Sequence, residues 1–62
     1  MAKVTADWLD LSVKAYDDGT YEAYEALQGD RYEGNWPQVR RWIERLLDTT
    51  ETEITQEKER GA

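Results

Sequence analysis

Carboxylates are the commonest reactive side chains in this sequence, and two groups of them lie close enough to act together: Asp17-Asp18, and Glu22 with Glu25. Acids so placed can hold a hard cation or share general acid and base roles. Either task needs a cleft that desolvates one carboxylate and moves its pKa. A chain of 62 residues makes one thin domain with little room for such a cleft, and the acid spacing of an EF-hand loop is missing. Asp17 and Asp18 therefore read as turn formers, and Glu22 and Glu25 as solvated strand positions. Gly29 and Gly34 precede a helix start, but no phosphate-binding glycine pattern surrounds them, and Glu33 beside Gly34 would repel an anion. The chain has neither histidine nor cysteine. That removes the commonest general base, the nucleophile–base pairs built on it, thiolate zinc sites and disulfides. No catalytic residue, metal site or cofactor is expected.

One basic, aromatic-bearing surface stands apart. Arg40, Arg41 and Arg45 surround Trp42, giving residues 36–47 a net charge of +2, whereas residues 1–35 carry −5 and residues 48–62 carry −3. The cluster is read in three ways: as a phosphate and base contact, as a solvated helix face held by Arg41–Glu44 and Arg45–Asp48 pairs, or as a protein interface, where Arg and Trp are enriched. Against the first stands the whole chain, with 14 acidic and 8 basic residues, a formal charge of −6 and a pI near 4.4. Such a balance opposes approach to DNA, RNA or anionic lipid.

Composition sets the rest of the frame. Hydrophobic residues are 39% of the chain and the mean hydropathy is −0.97, with no apolar run suited to a membrane span or secretory leader. The expected setting is the cytoplasm. Every aromatic residue is Trp or Tyr, and arginine outnumbers lysine, a bias that fits a high-GC or salt-loving host. Trp and Tyr suit half-buried surfaces better than a closed core.

The elements that must position these groups can be read in order. Tyr16-Asp17-Asp18-Gly19-Thr20 is a three-residue hairpin loop with Gly at the left-handed position. Placing Tyr16 opposite Thr20 pairs Ala15 with Tyr21, Val13 with Ala23, Leu11 with Glu25 and Leu9 with Leu27 on one face, which is apolar except for Glu25. The other face pairs Lys14 with Glu22, Ser12 with Tyr24 and Asp10 with Ala26. A helix capped by Thr20 over residues 21–28 competes with the second strand. Gln28-Gly29-Asp30-Arg31 predicts a type II′ turn, a third strand over residues 31–33 and Tyr32 opposite Leu27. Asn35 with Gln38 forms a capping box, with Pro37 in the first turn. Trp36, Val39, Ile43, Leu46 and Leu47 then make an apolar stripe, with Trp42 on its flank.

The fold class is thus α+β: a three- or four-stranded antiparallel sheet, β-β-β-α with room for a fourth strand, and one amphipathic helix on one face. A single domain spans residues 1–48. Residues 49–62 form an acidic polar tail, holding either a short strand near 50–55 or a second helix capped by Thr50 with Glu53, and fraying at the end.

With strand, DDG turn, strand, short strand and capped helix in place, the chain resembles the HicB-like antitoxin domain, the partner of HicA toxins. The residues that carry the resemblance are Tyr21-Glu22-Ala23-Tyr24, Leu27-Gln28-Gly29 and Tyr32-Glu33-Gly34-Asn35-Trp36-Pro37. Gln28 stands where that family has proline, and Trp36 where it has a capping threonine. The resemblance implies a dimeric cytoplasmic protein that binds and blocks an RNase toxin without catalysis of its own.

The functional expectation is a non-catalytic interaction module or regulatory inhibitor that pairs as a homodimer and binds a basic protein partner such as a toxin or nuclease. Its interface is expected at Trp8, Tyr16 and Tyr24 on the second sheet face and at Arg41, Trp42 and Arg45 on the helix. The alternatives are an acidic mimic of nucleic acid that occupies a host enzyme's binding site, and a nucleic-acid binder through the helix arginines.

Overall fold

The loop at Asp17–Gly19 sets the first pairing. In the computed structural model, which describes residues 2–4 and 6–61, Gly19 has φ +89°. The Gly19 N–H donates to the Tyr16 carbonyl at 3.2 Å, and the Tyr16 N–H donates to the Thr20 carbonyl at 2.9 Å. This is the type I turn with a G1 bulge. Strands β1 (Leu11–Ala15) and β2 (Tyr21–Glu25) pair in the expected register, from Leu11 opposite Glu25 to Ala15 opposite Tyr21. Residues 21–25 are strand, so the helical reading of this segment is not adopted. The ladder ends sooner than expected. Ala26 N–H still donates to the Asp10 carbonyl at 2.9 Å, but Leu9 and Leu27 lie outside the paired strands.

The second hairpin departs from its expected register. Strand β3 (Asp30–Gly34) sets Tyr32 opposite Ala23, not Leu27. The connection is a four-residue loop, Ala26–Gly29, closed by a Gly29 N–H bond to the Glu25 carbonyl at 2.9 Å. Gly29 has φ +77° and is the last loop residue, not the first central residue of a two-residue turn. The shift moves Tyr32 by four positions along β2, an even number, so it keeps the apolar face. The sheet is antiparallel with order β1-β2-β3.

Helix α1 (Trp36–Gly61) starts at the expected capping box. Gln38 N–H donates to Asn35 Oδ1, and Asn35 N–H donates to Gln38 Oε1, both at 3.0 Å. A Cβ on Gly34 would stand 2.5 Å from that Gln38 oxygen, so glycine leaves room for the box. The helix does not stop near Asp48. It runs 26 residues, and the segment expected as a strand near 50–55 or as a separate helix is part of it. The stripe continues through Thr50, which is buried and whose hydroxyl donates to the Leu46 carbonyl at 2.9 Å, and through half-buried Ile54. A hydroxyl bonded back to its own helix lets a polar residue occupy a core position.

Burial is uneven. Among the described residues Ala23 on β2 and Val39 on α1 are the fully buried apolar residues, and those two elements pack together. The helix packs on β2 and β3 and, among the described residues, not on β1. Tyr21 meets Trp36 edge-on at 5.3 Å, and Tyr32 meets Trp42 edge-on at 6.1 Å. Val13, Trp36 and Leu47, expected in the core, are 44–48% exposed. A helix of this length spans about 39 Å against about 17 Å for a five-residue strand. It therefore overhangs the sheet, and the molecule measures 48 × 24 × 19 Å.

Candidate functional site

The acids come first. Glu22 and Glu25 are three residues apart on β2 and so point to opposite faces of the sheet; they form no carboxylate pair. On the outer face Glu22 accepts from the Tyr16 hydroxyl at 3.1 Å and lies 3.7 Å from the Arg31 guanidinium. Lys14 stands opposite Glu22 in the ladder, but Arg31 makes the ion pair. The bond to Glu22 also holds the Tyr16 phenol above its ordinary pKa.

Glu25 is the residue the sequence reading misplaced. It is not a solvated strand position but 1% exposed. Its carboxylate accepts three backbone N–H groups, from Asp10 at 2.9 Å and from Leu27 and Gln28 at 3.0 Å. The Asp10 N–H contributes most to holding the carboxyl below its ordinary pKa, and the Leu27 and Gln28 donors help to outweigh the cost of burying the charge. The signal in the sequence was its position as the single charge on an otherwise apolar register face. Asp18 is likewise occupied within its turn, accepting from the Thr20 hydroxyl at 2.6 Å and the Thr20 N–H at 3.0 Å, and its carboxyl is held low, first by that hydroxyl.

The six expected interface residues do not form one surface. Tyr16 and Tyr24 belong to the outer sheet face, 43% and 40% exposed, where Tyr24 shares a shallow depression with Ser12, Lys14, Glu22 and Arg31. Trp8 lies before β1 and is also exposed. Arg41, Trp42 and Arg45 sit on the other side of the sheet. There Trp42 and Arg45 line two adjoining open clefts along the seam between α1 and β3, the larger about 500 Å³ and reaching Arg31, the smaller bounded by Tyr32 and Arg41. The expected Arg41–Glu44 and Arg45–Asp48 pairs are not made. Arg40 pairs with Glu44 at 3.0 Å instead, and among the described residues Arg41 and Arg45 make no ion pair.

The molecule therefore presents an outer face of Tyr, Lys, Glu and Arg, a basic aromatic seam, and an acidic helix end. From Thr55 to Gly61 every residue is exposed. Among the described residues no helix is long and apolar enough to cross a membrane. Compared with models of protein families, with curated proteins and with solved structures, the chain matches none.

Proposed function

We propose that the chain is a non-catalytic interaction module that binds and regulates a basic protein partner, in the manner of the small antitoxins whose element order it resembles. The observation that carries this reading is the second half of α1. Past buried Thr50 it projects beyond the sheet, is exposed from Thr55 onward and bears Glu51, Glu53, Glu57 and Glu59 against Lys58 and Arg60. A projecting acidic rod on a chain of charge −6 speeds encounter with a basic surface and rejects acidic ones. Of the carboxylates near the sheet, Glu25 and Asp18 are occupied by donors at the two hairpin ends and Glu22 by Tyr16 and Arg31, which favours binding over catalysis.

The test is affinity capture from the native host at increasing salt, run in parallel with a variant carrying Gln at positions 51, 53, 57 and 59. The expected result is stoichiometric recovery of one basic protein by the native chain, loss of recovery by the variant, and inhibition of the captured protein's activity by the purified chain. Equal recovery by the variant overturns the role of the helix end. No partner at any salt overturns the reading. Release of the captured protein by competing DNA or RNA would identify the helix as a nucleic-acid mimic.

A further inference from the structure

The two edges of the sheet are built differently. In an antiparallel ladder, alternate residues direct both backbone groups toward one neighbour. The Tyr16–Thr20 and Ala26–Asp10 bonds fix the even-numbered residues of β1 as those bonded to β2. Leu11, Val13 and Ala15 consequently direct their N–H and C=O groups to the open edge, while their side chains lie on the helix side. On the opposite edge the outward residues of β3 are Arg31 and Glu33, beside Asp30. Charges of that kind block strand addition, and the β1 edge has only Lys14 to serve that purpose.

Beside the open edge lies uncovered apolar surface. The helix leaves β1 bare, and the flank of α1 away from β3 carries Trp36, Ile43 and Leu47. Val13, Trp36 and Leu47 are 44%, 45% and 48% exposed. The whole chain exposes 5299 Å², whereas a compact monomer of 7.3 kDa exposes about 4,200 Å². The surplus is shared among this strip, the overhanging helix and the exposed residues 2–4 and 6–8, and it exceeds the roughly 800 Å² that each partner gives up in a stable dimer.

We propose that β1 is the interface between two copies of this chain, paired antiparallel about a two-fold axis through Val13 into a continuous six-stranded sheet with both helices on one face. Val13 then faces its own copy and Leu11 faces the partner's Ala15, so three outward N–H groups on each strand gain acceptors. The apolar sides of the two β1 strands merge into one strip between the helices. A second copy fits this edge because the register is self-complementary. Lys14 meets Ser12 of the other copy on the outer face, so no like charges oppose within the strand. This inference concerns the chain alone and stands apart from the choice of basic partner.

Amide exchange on the purified chain, resolved by residue in NMR and measured across concentration, reads the interface directly. A monomer protects Ser12 and Lys14 while Leu11, Val13 and Ala15 exchange fast; the dimer protects both sets. Protection of the odd set should appear with concentration and with a doubling of mass in light scattering. It should strengthen with salt, because two chains of charge −6 repel, whereas binding to a basic partner weakens with salt. Val13→Pro removes an outward N–H that β2 does not use and should weaken dimerisation roughly tenfold or more. A chain monomeric at millimolar concentration overturns the proposal. So does a dimer whose Leu11, Val13 and Ala15 amides still exchange fast, which would place the contact on a face.

Discussion

The sheet's two connections reverse the chain by different means. The β1–β2 loop is self-contained: Asp18 binds Thr20 two residues on, and Gly19 supplies the left-handed step. The β2–β3 loop is fastened from outside by Glu25, a buried strand residue whose carboxylate gathers amides from the loop and from Asp10 across the sheet. A self-contained turn can be altered without disturbing its neighbours. A turn fastened by a buried charge ties its own stability to the end of β1 and to pH.

The sharpest way to break the contrast is Glu25→Ala. It leaves three N–H donors without an acceptor and should lower Tm on the order of ten degrees in a thermal melt followed by tryptophan fluorescence. Glu25→Gln, which keeps one acceptor oxygen, should fall between that variant and the native chain. Gly19→Val comes next, at about 1–2 kcal/mol in denaturant unfolding. A Cβ there meets nothing within 4 Å, so the cost is that of the positive φ alone and the amides of the second loop should keep their protection from exchange.

Acid should act in the same order. Glu25 and Asp18 both titrate below their ordinary values when folded, so the unfolded chain binds more protons in the window between the two states. Their contribution is present above the ordinary carboxyl range, near 4.5 for Glu, and is lost as pH falls below it. The slope of Tm against pH in that window should flatten in Glu25→Gln. Asp18→Asn keeps an acceptor in an exposed turn and should have the smallest effect, a shift of no more than a few degrees.

The first hairpin and the helix start were legible because their signals are local. Asp17-Asp18-Gly19 specifies both a loop length and a register, and Asn35 with Gln38 specifies a cap. The second register was not, because a glycine between polar residues fits a two-residue turn and a four-residue one equally well. Glu25 decides between them through the bonds it makes, and a glutamate in a strand reads as solvated. The length of α1 was hidden for a related reason. Thr50 occupies a core position by bonding its hydroxyl to Leu46, so the apolar residues of the stripe break off at Leu47. Of the expected interface residues, Tyr16 and Tyr24 share the outer sheet face, and Arg41, Trp42 and Arg45 line one cleft on the helix side. Which face each group occupies depends on how the helix lies across the sheet, and no short-range pattern states that.

The strand order β1-β2-β3 also sets a timescale. Each strand pairs with its neighbour in sequence and the helix returns over the last two, so folding closes only short loops at small entropic cost. Chains dominated by such local contacts reach their native form in milliseconds or less. The six-stranded sheet proposed above would form bimolecularly and would slow on dilution. A newly made chain would therefore complete its own hairpins first, and under that proposal the local abundance of the protein would decide when the open edge of β1 is covered.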